Sequence, residues 1–225
     1  MQRYRSGNFD ISRMITEHYS TSFSLGIRLL SKEIRDAIHA IYAFVRYGDE
    51  IVDTFHGKDQ QYLLKRYKED FYYAYEHGIS ANPVLDSFQQ VVREFQIPLE
   101  YIDAFLYSME MDLTYKYFSK EELDTYIYGS AEVVGLMCLK VFVRNPKEFD
   151  RLVPYARALG AAFQKINFLR DVKSDYEERG RVYFPKEYYC GDPFGEECKK
   201  RFEAEIREDF RMALIGIRML PANAR

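Results

Sequence analysis

Two segments of the chain each carry a pair of aspartates four positions apart. Asp49 and Asp53 form the first pair, and Asp171 and Asp175 form the second. On a helix this spacing places both carboxylates on one face, about 5–6 Å apart at Cβ, where like charges are destabilising unless a cation joins them. Mg²⁺ is commonly held by a few carboxylates together with substrate phosphates. Two such helices facing each other across a bundle would hold several Mg²⁺ ions and promote ionisation of a diphosphate leaving group.

The residues before the first pair continue its polar face. His39, Tyr42 and Arg46 precede Asp49 and Asp53 at steps of three and four. The adjacent stripe is apolar and consists of Ile38, Ile41, Val45 and Val52. The polar face therefore either meets solvent or lines an internal polar cavity, and its position in the sequence leaves both open.

The second pair has a similar polar face. Gln164 and Asn167 precede Asp171 and Asp175 at steps of three and four. Amides beside a bundle interior are costly unless they find partners, so their alignment with two aspartates suggests a shared ligand. Arg46 and Arg170 add bidentate donors for phosphate oxygens. A single Asp pair at this spacing is common on exposed helices, where each carboxylate can form an ion pair with a basic residue one turn away.

Helical periodicity dominates the chain, and strand-like alternation is nearly absent, which predicts an all-α fold. We expect one domain built as a bundle of long helices. The predicted helices are 9–18, 32–55, 59–77, 82–95, 99–117, 120–143, 147–178 and 194–219, with loops near Gly57, Gly78, Pro98, Pro146 and Gly180. Ser119 and Glu122 fit a capping box. Gly129 and Gly135 lie inside a predicted helix at about 1 kcal/mol each, which suggests close helix approach or a break.

Composition narrows the class of protein. The net charge of −3 and the pI of about 5.9 argue against nucleic-acid binding. The three cysteines, Cys138, Cys190 and Cys198, indicate neither a disulfide framework nor a zinc site, so we expect a cytoplasmic protein. The chain has 20 Tyr and 17 Phe but no Trp. These aromatic residues either line a cavity or lie half-exposed on amphipathic helices.

Together these motifs resemble the squalene and phytoene synthase family along nearly the whole chain. The resemblance is carried by residues 18–24, 40–43, 126–135, 167–171 and 179–185. It implies an isoprenoid synthase fold, an all-α bundle around a central cavity. The implied reaction joins two prenyl diphosphates head to head through a cyclopropyl diphosphate. Mg²⁺ is the implied cofactor, with Mn²⁺ as a substitute.

The resemblance also implies a role for individual residues. The implied metal ligands are Asp49, Asp53, Asp171 and Asp175, and the implied catalytic residues are Tyr42, Arg46, Tyr128 and Arg170. The implied substrate-binding residues are Ser20, Ser22, Gln164 and Asn167. Glu132 departs from the family, whose members often have glycine there, and its charge either alters the cavity or points outward.

Residues 42–53 look most like bacterial phytoene synthases, which favours two geranylgeranyl diphosphates and phytoene as product. Farnesyl diphosphate, giving squalene or dehydrosqualene, is the alternative, and only squalene would require NADPH. A non-catalytic family member acting in assembly or interaction is a second alternative.

We expect C-terminal helices to be missing, because family members continue through further helices after the position that corresponds to residues 220–225. We also expect loose membrane association, which fractionation would test, while oligomeric state stays open.

Overall fold

The computed structural model describes residues 1–185 and 195–224. The described residues are helical apart from turns, loops and one isolated parallel bridge between Tyr117 and Val182, which confirms the predicted all-α class. None of the described helices is both long and apolar enough to cross a membrane. Contacts divide the chain into two compact units. The first comprises Met1–Leu99, Met137–Arg151 and Met219–Arg225, and the second comprises Glu100–Leu136 and Leu152–Arg218.

The part of the first unit that comprises residues 1–99 contains five helices. They are α1 (Gln2–Tyr19), α2 (Thr21–Leu29), α3 (Lys32–Asp53), α4 (Gln60–His77) and α5 (Pro83–Glu94). α3 packs against α1, α4 and α5. Its Phe44 stacks on Phe88 with ring centroids 3.9 Å apart and also contacts Phe71, and all three rings are fully buried. This core fixes the rotation of α3, so the Asp49 face is held in one direction.

The remaining helices follow Glu94 in the chain. They are α6 (Leu99–Thr114), α7 (Lys120–Ile127), a π-helical turn (Tyr128–Glu132), α8 (Val133–Phe142), α9 (Pro146–Glu177) and α10 (Glu196–Met219). In the second unit, an aromatic cluster fixes the rotation of α9. Phe168 stacks on Tyr183 at 4.4 Å and contacts Tyr126 and Phe202.

Most predicted helices are confirmed to within about three residues, and the structure differs from the prediction at three places. The first helix begins at Gln2 rather than at residue 9, and α2 was not predicted. The predicted helix 120–143 contains the π-helical turn at the glycine flagged from sequence. The predicted start at 194 lies outside the described residues.

The π-helical turn packs so closely against α6 and α9 that its contact points have no room for a side chain. A Cβ at Gly129 would lie 2.3 Å from the carbonyl oxygen of Ala104 in α6. A Cβ at Gly160 of α9 would lie 2.6 Å from the carbonyl oxygen of Ala131. The predicted close approach at Gly129 is confirmed, and the turn is a π-bulge, a feature frequent at functional sites.

Ser119→Ala should destabilise the protein by about 1 kcal/mol, because Ser119 Oγ accepts from Glu122 N–H at 3.2 Å and the Glu122 carboxylate accepts from Ser119 N–H at 2.7 Å. Urea denaturation measures this loss. Thr125→Ala, which removes an exposed hydroxyl within the same helix, is the control and should change stability little. Equal losses in both variants would contradict the capping assignment.

Candidate functional site

The first aspartate pair lies near the end of α3, on a partly buried face. Asp49 and Asp53 are both half-buried, and the neighbouring stripe residues Ile41 and Val52 are each 1% exposed. On the same face His39 is buried, and burial lowers the pKa of its ring. The α3 polar face is therefore only partly shielded from solvent, since it is buried at His39 and half-buried at the two aspartates.

Three of the expected residues, Ser20, Ser22 and Tyr42, lie together where the start of α2 meets α3. Ser20 caps α2, because its Oγ accepts from Phe23 N–H at 3.2 Å, and its Oγ lies 3.4 Å from Ser22 Oγ. Burial raises the pKa of the Tyr42 phenol, and the positive charge of Arg46, together with a smaller contribution from Ser20, partly offsets that shift. The Phe23 ring lies 5.7 Å from the Tyr42 ring. Ser20, Ser22 and Tyr42 thus form one cluster beside the Asp49 face.

Arg46 is held between an acid and an aromatic ring. It forms an ion pair with Glu50 on the next turn of α3. Its guanidinium carbon lies 4.4 Å from the centre of the Tyr19 ring. Glu50 and Tyr19 were not predicted as site residues. The i,i+4 spacing of Arg46 and Glu50 is a signal from which that pair could have been predicted, whereas no sequence pattern places Tyr19 over Arg46.

In the second motif, each aspartate has an arginine partner. Arg170 donates from Nε and Nη2 to Asp171 at 2.8 and 2.6 Å, and these hydrogen bonds raise the pKa of Arg170. Arg179 Nη1 donates to Asp175 Oδ1 at 2.9 Å. Asn167 Nδ2 donates to Gln164 Oε1 at 3.4 Å. α9 therefore carries the expected polar face, and Arg179 is a contact that was not predicted.

Tyr128 opens the π-helical turn and is half-buried. The Arg157 guanidinium lies 5.2 Å from the centre of its ring. Arg157 Nε also donates to Glu132 at 2.5 Å, and the Glu132 side chain is only 14% exposed. Burial raises the pKa of Glu132 despite this pairing. The Glu132 charge consequently does not point freely outward but holds the cation that covers Tyr128.

The carboxylate pairs fit Mg²⁺ by donor chemistry. Within the described residues no three His, Cys, Asp or Glu side chains form a complete metal site. Mg²⁺ needs no such cage, since it retains waters and shares one or two carboxylates with substrate phosphates. Because Asp171 and Asp175 already contact arginines, we expect Mg²⁺ with a diphosphate to bind better than Mg²⁺ alone.

Cys138 and Cys198 are free thiols, and Cys190 lies outside the described residues.

Sequence comparisons with known proteins match this chain to one family. Residues 16–192 match the family model described as squalene/phytoene synthase. The chain is 31% identical over 185 residues to a 4,4'-diapophytoene synthase of Staphylococcus haemolyticus and 32% identical over 194 residues to a phytoene synthase of Arthrospira platensis. Each match covers 80% of this chain but 62% of the relative, so the chain spans less than two thirds of their length.

Solved structures show the same fold. A dehydrosqualene synthase in complex with a ligand matches with a TM-score of 0.86 at 23% identity, covering 100% of this chain and 81% of that one. A squalene synthase from Alicyclobacillus acidocaldarius matches with a TM-score of 0.84 at 21% identity, covering 97% of this chain and 86% of that one. The predicted isoprenoid-synthase-type helical fold is confirmed.

Proposed function

Because the chain belongs to the squalene/phytoene synthase family, we propose that it condenses two prenyl diphosphates head to head in isoprenoid biosynthesis. The observation that best supports this activity is the composition of the two helix faces. Each carries two carboxylates one turn apart together with an arginine, and Arg170 touches the acid beside it. Such a face suits a substrate whose anionic group arrives with a divalent cation.

Under this proposal, Asp49, Asp53, Asp171 and Asp175 hold Mg²⁺ and the substrate diphosphates. Bound Mg²⁺ would neutralise charge that develops on the leaving diphosphate. Arg46 and Arg170 would exchange part of their contacts with Glu50 and Asp171 for phosphate oxygens. A guanidinium group presents several donors in a planar fork that matches phosphate oxygens, so this exchange preserves its hydrogen bonding.

The uncharged residues would bind and shield the substrate. Ser20, Ser22, Gln164 and Asn167 offer hydroxyl and amide groups for hydrogen bonds to the diphosphate. Tyr42 and Tyr128 offer aromatic faces, whose negative quadrupole stabilises nearby positive charge. The Tyr42 phenol, whose pKa is raised by burial, can donate a hydrogen bond.

We further propose geranylgeranyl diphosphate as substrate and phytoene as product, on the sequence pattern of residues 42–53. The names of the relatives include both phytoene synthase and 4,4'-diapophytoene synthase, so similarity supports the reaction type more strongly than the chain length. Farnesyl diphosphate is the alternative substrate. The two substrates differ by one isoprene unit, and the depth of the substrate pocket would discriminate between them.

Product analysis tests this proposal. The chain is incubated with labelled geranylgeranyl or farnesyl diphosphate and Mg²⁺, and hydrocarbons are extracted and identified by mass. We expect phytoene from the first substrate and no product when Mg²⁺ is chelated. A C30 product from farnesyl diphosphate alone would change the substrate to the alternative. No product from either substrate, with folding verified, would refute the proposed activity for this chain.

A further inference from the structure

Asp112 is a buried carboxylate outside the two aspartate motifs. It lies near the end of α6, and its side chain is 3% exposed. Tyr183 OH donates to Oδ1 at 2.7 Å, and Tyr126 OH donates to Oδ2 at 2.8 Å. Arg181 Nη1 lies 3.5 Å from Oδ1. A buried carboxylate is strongly unfavourable unless it is paired and hydrogen-bonded, so these donors make it tolerable.

Two of these donors lie on the segment that follows the second aspartate motif. α9 ends at Glu177, and the chain reverses at Gly180, whose φ of 67° is in the left-handed region. We call residues 178–184 the return segment. Val182 N–H donates to the carbonyl of Lys116 at 2.8 Å, which fixes the return segment to the chain after α6.

The return segment contacts Asp175 directly. Arg181 N–H donates to the backbone carbonyl of Asp175 at 2.8 Å, and Arg179 Nη1 donates to its carboxylate. Asp175, Arg181 and Tyr183 line a cavity of about 10 Å³, no larger than one water needs. The inner side of Asp175 is therefore packed against protein groups, and movement of Arg181 would move the Asp175 backbone or open this packing.

We propose that Asp112 is a positioning residue for the second aspartate motif, acting through Arg181 and Tyr183 on Asp175. This inference rests on the proposed function, in which Asp175 binds Mg²⁺. Groups that orient metal ligands from outside the coordination shell typically change metal affinity by about 10–100-fold when replaced. Burial and the nearby negative charge of Asp112 raise the pKa of Tyr126 and Tyr183, in agreement with both phenols donating hydrogen bonds to this carboxylate.

Calorimetric titration of Mg²⁺ in the presence of inorganic pyrophosphate tests the proposal without requiring turnover. Asp112→Asn should weaken Mg²⁺ binding by about 10–100-fold. The control is Asp124→Asn, whose side chain is 58% exposed and pairs with Lys120, and it should bind as the wild type does. Folded Asp112→Asn protein with control-like affinity would overturn the inference.

Two tyrosine variants separate positioning from general stability. Tyr183→Phe and Tyr126→Phe each remove one hydrogen bond to Asp112, but only Tyr183 belongs to the return segment. Tyr183→Phe should weaken Mg²⁺ binding by about 10-fold and Tyr126→Phe by no more than about twofold. These variants decide the question if Asp112→Asn does not fold, and equal affinities would overturn the proposal. Absence of Mg²⁺-dependent binding in the wild type would instead refute the proposed function, and the inference with it.

Discussion

Asp171→Asn should weaken Mg²⁺-dependent pyrophosphate binding by about 100-fold or more, since a direct ligand should matter at least as much as the groups that orient it. Asp49→Asn should have a similar effect. Asp171→Asn removes one negative charge from the α9 face and one carboxylate oxygen that can bind a cation. It also breaks the bidentate contact with Arg170.

Folding should be nearly unaffected by Asp171→Asn. The Arg170 and Asp171 side chains are 65% and 34% exposed, and ion pairs of this kind contribute about 0–1 kcal/mol. Calorimetry with Mg²⁺ and pyrophosphate gives the affinity, and urea denaturation gives the stability. Asp150→Asn is the control, because Asp150 is an exposed acid on the same helix. A folded Asp171→Asn protein that binds and turns over substrate normally would refute the site assignment.

Gly129→Ala should destabilise the protein by about 2–3 kcal/mol, the cost of overpacking a well-packed site. The new Cβ would lie 2.3 Å from the carbonyl oxygen of Ala104 and 2.8 Å from Ser108 Cβ. The first of these atoms is backbone, which cannot rotate away as a flexible side chain can. α6 and the π-helical turn must therefore separate, and Tyr128 would move with the turn.

Gly7→Ala is the matched control for this prediction. Gly7 lies inside α1, and a Cβ there would meet nothing within 4 Å. Alanine is about 0.8–1 kcal/mol more favourable than glycine in a helix, so this variant should be slightly stabilised. Urea denaturation of both variants provides the comparison. A Gly129→Ala protein as stable as Gly7→Ala would show that α6 does not approach the turn so closely.

Local periodicity was sufficient to predict the two helix faces. Asp49 shares a face with Tyr42 and Arg46 because 3.6 residues complete one turn, whatever surrounds the helix. The same rule placed Gln164 and Asn167 beside Asp171. The capping box at Ser119 was equally predictable, because both of its hydrogen bonds join residues three positions apart.

α2 was missed because its apolar residues do not mark its buried side consistently, although one of them, Ile27, is buried. Ser24 is buried, whereas Phe23 and Leu25 are 53% and 61% exposed. Hydrophobic periodicity assumes that apolar residues face the core, so it cannot locate such a helix. Its start was visible only as a serine that could cap a helix, and Ser20 does so.

The sequence by itself determined the helical class, the two aspartate faces and the family to which they belong, because these depend on residue types at short fixed spacings. Tertiary structure alone decided which residues far apart in the sequence contact each other around these faces and around Tyr128. Tyr183 meets Asp112 across 71 positions, and Arg157 meets Glu132 across 25. No local pattern encodes such pairs, since the packing of α6, α7, α9 and the return segment brings them together.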